Sequence, residues 1–327
     1  MKAYVRAPYP EKTLEDLKTI FDEVVYEPWT ATGERYYEDE MLENLLKVQP
    51  DVLITELDRV TAKVLDGYKG LKFIGDCRAT PANIQVDECT KAGIPLICTP
   101  GRNNQAVAEA VVATIIMQYR NLLPAIQWAK DGKWVEGTTP YITWMGHELQ
   151  GKKIGFVGFG AVATAAAKIV DGFDCDVCFY GHQPGDVGHY KKVSLEELFA
   201  TCDIVSLHLP VTDETRGMIT EELMRTMKKD AILVNAARSA VIDTKALLKI
   251  LDEGGIAGAI IDVLDTEPPV AEDYEVINHP KVLFTPHIFG ASYEVTDHQA
   301  QIMNDRIRQY LAGENLQRVV YNKSLVM

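Results

Sequence analysis

Ile154-Gly-Phe-Val157-Gly158-Phe-Gly160-Ala161-Val162-Ala163 is the stretch on which the reading of this chain turns. Ile154–Val157 has the apolar composition of a buried strand, and the Ala-rich run from 161 to 170 has that of a helix. The glycines sit at the join. A G-x-G-x-x-A match alone is weak, but its placement at a strand-to-helix turn is informative. Gly158 permits the tight turn, and Gly160 lets the backbone approach a pyrophosphate resting on the N–H groups that open the helix at Ala161 and Val162. Ala163 replaces a third glycine where a small residue suffices for helix–strand packing. A Gly-rich turn that binds nothing is the competing reading, and it leaves that placement unexplained.

A dinucleotide fold carries a second mark, an acidic residue after the next strand that receives the adenosine ribose. That strand reads Val177–Tyr180 and is followed by Gly181-His182-Gln183, with no carboxylate. Losing the carboxylate removes a repulsion against a 2′-phosphate, while His182 is a weak substitute for the Arg or Lys that would attract one. Gly181 and His182 are cofactor-binding candidates, and the cofactor is NAD or NADP, undecided.

Working outward, further strands read at Ile204–Leu207, Ala231–Asn235, Ile256–Asp262 and Val282–Thr285. Ser194, Thr220 and Asp243 are N-cap candidates, Ser194 in a capping box with Glu197, and Gly254 ends the helix 244–253. The first hundred residues alternate in the same way: strands at Val24–Tyr26, Val52–Thr55, Leu71–Gly75 and Gly93–Cys98, and helices at Leu14–Phe21 and Glu40–Val48. Such alternation implies parallel sheets covered by helices. One helical stretch is expected from Asn104 to about Lys130, and a last helix over Val295–Leu311. The expected fold is α/β with two doubly wound parallel-sheet domains: a Rossmann nucleotide-binding domain over 104–290, and a flavodoxin-like substrate domain over 1–103 completed by 291–327.

Composition agrees with a globular chain of this kind. Its 327 residues suit two domains, and 47% hydrophobic with 24% charged is ordinary for globular proteins. Lys+Arg 33 against Asp+Glu 47 gives a net charge of -14, which argues against a nucleic-acid binder. No apolar run reaches the roughly 18 residues of a membrane helix, and no secretory h-region opens the chain. Six scattered cysteines read as free thiols in a cytoplasmic protein. Cys175-Asp-Val-Cys178 matches C-x-x-C but has no second ligand pair nearby, so no metal is expected.

Three patches at strand ends carry chemistry: Asn235-Ala236-Ala237-Arg238-Ser239, Asp262-Val-Leu-Asp265-Thr-Glu267-Pro268 and Thr285-Pro-His287-Ile-Phe-Gly290. In an open parallel sheet the carboxyl ends of the strands face the ligand crevice, so the three converge. Arg, Glu and His together suit hydride transfer at a carbonyl beside a carboxylate. Arg clamps the carboxylate in bidentate fashion, and His donates a proton while a neighbouring carboxylate raises its basicity.

With these patches in hand, the sequence resembles the D-isomer-specific 2-hydroxyacid dehydrogenase family over nearly its whole length. The matching stretches are Pro100–Glu109, Glu148–Lys152, Val157–Gly160, Leu207–Thr212, Asn235–Ser239, Asp262–Pro268 and Thr285–Gly290. The resemblance implies that Arg238 binds and polarises substrate, His287 is the general acid/base and Glu267 pairs with it. It further implies that Asp262 holds the nicotinamide carboxamide, with Ala236 and Ala237 along the nicotinamide and His208 and Pro210 near the adenosine half. Glu rather than Gln beside the His favours a hydroxy acid over formate. The implied partner is a small 2-oxo or 2-hydroxy acid. The 104–130 helix and the arm from Trp134 to Trp144 match the region through which the family forms homodimers.

The substrate loop departs from the common pattern. Cys77-Arg78-Ala79-Thr80-Pro81-Ala82-Asn83 looks like an R-G-G-P-x-N variant with both glycines replaced. Arg78, Ala79, Thr80 and Arg102 are substrate-binding candidates, the two arginines for a second anionic group; an ordinary loop salt bridge is the competing reading for each. The two domains are expected to close on the substrate. A rival from another class is a corepressor-like interaction protein that senses NAD(H) with the same Arg, Glu and His.

Overall fold

In the computed structural model, which describes all 327 residues, the chain divides into two units, Met1–Asn103 with Ser292–Met327, and Asn104–Ala291. Each is built on a parallel sheet. The first contains β1 (Lys2–Val5), β2 (Glu23–Tyr26), β3 (Val52–Thr55), β4 (Phe73–Asp76) and β5 (Leu96–Cys98), in the order β2-β1-β3-β4-β5. That is the flavodoxin-like order. Leu17, Phe21, Met303 and Ile307 cover one face, and Met41, Leu45, Val64 and Leu65 the other.

The C-terminal return is integral to this unit. Helix Glu294–Leu311 packs Met303 over Gly75 so closely that a Cβ there would lie 2.8 Å from its sulfur. Asn304 donates to the Thr13 carbonyl at 2.9 Å, and Arg308 pairs with Asp16. Tyr321 N–H donates to the Leu96 carbonyl at 2.7 Å, and Val320 bridges to Ile97, so the tail covers the β5 edge.

The second sheet holds β6 (Lys153–Val157), β7 (Asp176–Tyr180), β8 (Lys191–Lys192), β9 (Ile204–Leu207), β10 (Ile232–Asn235), β11 (Gly258–Ile261) and β12 (Val282–Phe284). Its order is β12-β11-β10-β9-β6-β7-β8, which is the Rossmann arrangement with one strand added beyond β11. The order reverses between β6 and β9, and this is where such folds open a ligand crevice. Helix Ala161–Asp171 buries Ala163, Ala166, Ala167 and Val170 on the side of the sheet where helix Asn104–Tyr119 lies. Small residues let the two helices and the sheet approach. Leu198, Phe199, Leu247 and Ile250 line the opposite face.

Several expectations need correction. Strand β1 was not anticipated, although it pairs on both sides, and neither was β8. The expected 104–130 helix is two, Asn104–Tyr119 and Leu122–Lys130, broken at Asn121 with φ 50°. Pro124 explains the break, because its ring would collide with the carbonyl four residues back in a continuous helix. Ser194, Thr220 and Asp243 each cap a helix by accepting an N–H, but Glu197 gives only its backbone half of the capping box. Cys178 does not face Cys175; its sulfur lies 3.4 Å from that of Cys202. No helix is long and apolar enough to cross a membrane.

Candidate active site

Gly158 leaves β6 with φ 88°, its N–H bonded to the Tyr180 carbonyl at 2.8 Å. A Cβ there would stand 2.7 Å from the His208 carbonyl oxygen, so glycine is required twice, by conformation and by the close approach of the chain leaving β9. Gly160 is the N-cap of helix Ala161–Asp171, has no side-chain cap, and has no neighbour within 4 Å of the Cβ position. The first helical N–H groups, Ala161 and Val162 among them, have no intrahelical partner and point out of the helix end.

A cavity of about 580 Å³ opens at this turn. It is lined by Gly158, Gly160, Gly181, His182, His208 and Pro210, all named from the sequence as cofactor candidates. The structure adds Gln183, Thr212, Glu214 and Thr215, which sequence reasoning missed. Gln183 folds back over the glycine turn, its amide donating to the Phe159 carbonyl at 2.7 Å and its backbone carbonyl taking Lys192. Its Oε1 is buried without a partner. Thr215 Oγ1 donates to the Pro210 carbonyl at 2.6 Å and shapes the opposite wall. Glu214 is the one carboxylate on the lining; a hydrogen bond from Thr212, its own backbone N–H and the nearby His182 hold it below the usual range. His208 accepts or donates with Ser206 at 2.8 Å, and burial lowers it to about 4, so its ring is neutral at pH 7. An open helix N-terminus and a close-approach glycine together fit a dinucleotide.

The three strand-end patches lie beyond β10, β11 and β12 of the same unit. Asn235, buried, accepts from Ala237 N–H at 3.1 Å and donates to the Arg238 carbonyl at 3.1 Å, which fixes the turn that exposes Arg238. Ala236 and Ala237 lie in this turn, Ala237 buried. His287 has φ 54° and bonds through Nδ1 to Glu267 Oε2 at 2.7 Å, leaving Nε2 free. Glu267 Oε1 takes the Leu264 N–H at 3.1 Å. Partial burial opposes its ionisation, but His287, the Leu264 N–H and the Arg238 charge outweigh it and hold the carboxyl below its ordinary value.

Asp262 is almost fully buried and wraps the His287 loop. It accepts from Thr285 Oγ1 at 2.6 Å, Ile288 N–H at 2.9 Å and Phe289 N–H at 3.2 Å. Burial raises it, and those three bonds with His287 oppose the rise. This side chain therefore has a scaffolding use that the resemblance did not suggest.

In the first unit, Arg78, Ala79 and Thr80 follow β4 in an irregular loop, and their N–H groups enter no backbone bond. Arg78 is half-buried and outside the ion pairs of its unit. Arg102 is committed elsewhere: one guanidinium nitrogen meets Glu56, the Cys77 carbonyl and Gln299. The salt-bridge alternative describes Arg102, and Arg78 remains the uncommitted cation.

Known proteins match this chain over nearly its full length. The sequence profile of the D-isomer specific 2-hydroxyacid dehydrogenase NAD binding domain matches residues 112–288. A Bacillus subtilis (strain 168) protein that carries the name 2-hydroxyacid dehydrogenase YoaD is 41% identical over 326 residues, covering 99% of this chain and 95% of its own. A glyoxylate reductase of Thermofilum pendens is 36% identical over 321 residues, 96% of this chain and 92% of its own. Among solved structures, an acyclic imino acid reductase in complex with NADPH and D-Arg superposes with a TM-score of 0.77 at 27% identity, covering 98% of this chain and 99% of that one.

Proposed function

Since the chain belongs to the D-isomer specific 2-hydroxyacid dehydrogenase family, an NAD(P)-dependent oxidoreductase family, we propose that it reduces a small 2-oxo acid to the D-2-hydroxy acid, and the reverse, through Arg238, Glu267 and His287. The observation that carries this reading is the 2.7 Å His287–Glu267 pair, set at strand ends beside the exposed Arg238. The nicotinamide, when bound, supplies or takes up the hydride.

The protein's own residues do the rest. Arg238 clamps the substrate carboxylate and, being cationic, draws electron density toward the carbonyl oxygen. Glu267 holds Nδ1–H of His287, which directs Nε2 outward and stabilises the imidazolium. Nε2–H then gives its proton to the oxygen as it becomes an alkoxide, and takes it back in the oxidation direction. Gly158, Gly160, Ala161, Val162, Gly181, His182, His208, Pro210, Ala236 and Ala237 bind the cofactor, and Asp262 receives the carboxamide while tying down the His287 loop. In the unit containing residues 1–103, the N–H groups of Ala79 and Thr80, which enter no backbone bond, suit an anionic group of the substrate. Glyoxylate, the substrate named for one relative, fits such a site, and Arg78 suits an acid with a second anionic group.

Trp134, Val135, Tyr141, Ile142 and Met145 are exposed apolar side chains within one short arm of the chain, which suits contact with a second copy. Six cysteines without a disulfide suit a reducing cytoplasm. The test is a panel of 2-oxo acids, glyoxylate and phosphorylated or dicarboxylic acids included, with NADH and NADPH in parallel. Turnover of at least one acid is expected, with the D-hydroxy acid as product wherever the product is chiral, which the glycolate formed from glyoxylate is not. No turnover with either cofactor, or an L-product, refutes the assignment.

A further inference from the structure

We propose that Ser239 and Asp265 form a latch that positions Arg238 and Glu267 relative to each other; the proposal rests on the roles given to those two residues above. Strands β10 and β11 run in register as far as Asn235 opposite Ile261, and the Asp262 N–H adds one more bond, to the Asn235 carbonyl at 3.1 Å. Past this point the two chains part, one through the turn bearing Arg238 into a 3-10 helix at Ser239–Val241 and the other into an irregular loop bearing Glu267. Their one side-chain hydrogen bond to each other runs from Ser239 Oγ to Asp265 Oδ1 at 2.6 Å.

Three features make this bond the controlling contact. First, an O–H donor on a carboxylate at this length is a charge-assisted bond, about twice as strong as a neutral one. Second, the two sides differ in how they are held. Ser239, Val241 and Ile242 are buried, and the Ala240 and Val241 carbonyls take the Gly217 and Ile219 N–H groups at 2.9 and 3.0 Å. Residues 265–268 are instead exposed, beside a cavity of about 260 Å³ lined by Ser239, Ile242, Lys245, Val263, Leu264 and Asp265. Side chains facing a void lose the dispersion contacts that would otherwise fix them. Third, each partner is one residue from a group that matters. Ser239 follows Arg238, whose carbonyl is held by Asn235. Asp265 follows Leu264, whose N–H holds Glu267 Oε1, and Glu267 in turn holds His287. An unbroken series of bonds thus joins the residue assigned to substrate with the residue assigned to the proton. Ser239 and Asp265 touch neither, and are positioning residues.

The test is a double-mutant cycle with Ser239→Ala, Asp265→Ala and the double variant, alongside Ser239→Thr and Asp265→Asn, which keep the donor and the acceptor. In the full-length enzyme, each alanine variant should lower kcat/KM for the 2-oxo acid by roughly 5–50-fold. The double variant should be no worse than the poorer single, and KM for the nicotinamide cofactor should stay within about twofold. The conservative changes Ser239→Thr and Asp265→Asn should recover most of the loss. In parallel, hydrogen exchange should show residues 262–268 opening faster in Ser239→Ala, a change at a distance that simple loss of the serine would not produce. Multiplicative losses in the double variant, or unchanged protection of 262–268, overturn the latch. If the wild type turns over no 2-oxo acid, the proposed reaction fails, and the exchange measurement alone still decides the latch.

Discussion

Gly158 and Gly160 share one turn but have opposite surroundings, and changing each to alanine gives the sharpest test of the cofactor cradle. At Gly158 the new methyl must tolerate φ 88° and a carbonyl oxygen 2.7 Å away, with the carbonyl carbon at 2.9 Å. The left-handed region costs about 1–2 kcal/mol for an L-residue. Displacing packed backbone adds about 1–3 kcal/mol. The total is about 2–5 kcal/mol, or a drop in Tm of roughly 4–20 °C for a unit of this size. At Gly160 φ is -85° and nothing lies within 4 Å. Alanine is a poorer N-cap than glycine, but it also narrows the unfolded ensemble by about 0.4–1 kcal/mol; the two nearly offset, and Tm should move by less than about 2 °C. The cost at Gly160 should fall on binding instead, since a methyl on the helix N-terminus holds off an approaching pyrophosphate. Losing one charge-assisted hydrogen bond, about 1.5–3 kcal/mol, weakens binding by roughly 10–150-fold. Thermal melts without cofactor, and titration with NADH and NADPH by fluorescence, separate the two. A Gly160→Ala protein that binds both nucleotides like wild type, or melts as early as Gly158→Ala, refutes the reasoning.

Other outcomes follow from the same geometry. His287→Ala should lower kcat by roughly 10²–10⁴-fold with cofactor affinity retained, read by steady-state kinetics and nucleotide titration; full activity would remove the residue from the mechanism. Arg102→Ala should lower stability by about 1–3 kcal/mol, because it leaves the nearly buried Glu56 with Trp29 as its remaining side-chain partner. Arg78→Ala should instead raise KM for the preferred acid at unchanged stability, and the reverse pattern in urea titrations and kinetics would exchange their roles. His208 has its folded value lowered to about 4 by burial, so the unfolded chain takes up a proton near pH 6.5 that the folded chain refuses. Its contribution is complete above pH 6.5, declines as pH falls toward 4 and then levels. The full shift corresponds to about 3 kcal/mol, reduced to about 1–2 kcal/mol because the ring borders the cavity. His208→Gln should flatten that part of the urea-midpoint profile, and an unchanged slope would show that other groups cause it.

What could be read beforehand depended on whether the information was local. Ile154–Val157, Ile204–Leu207 and Val52–Thr55 are apolar runs buried on both faces, so composition alone marks them as parallel strands. Lys2–Val5 carries only three apolar residues and no turn signal before it, yet it is central because β2 and β3 pair with it. Lys191–Lys192 has no strand signature at all; it pairs because Phe179 lies beside it. Gly158, Gly160, Glu267 and His287 were visible because glycine conformations and strand-end motifs are short-range patterns. Gln183 and Glu214 come from separate loops and meet only in the folded crevice. The partner of Arg102 is Glu56, on another loop altogether, so charge pattern could not separate Arg102 from Arg78.

The interrupted first unit has a consequence for how the chain is made. Synthesis is vectorial, and domains tend to fold as units when their residues have emerged. Residues 104–291 are contiguous, so the cofactor unit can fold as soon as it leaves the ribosome. The other unit begins first but lacks Met303 over Gly75 and Val320 against Ile97 until the end. Its sheet must wait, with one face only part-covered by Leu17 and Phe21 and the β5 edge unpaired, while the second unit is translated. Chains truncated at residue 291 should then show a protease-resistant core over 104–291 and rapid cleavage within 1–103; equal resistance of both would show that the early half closes without its late helix.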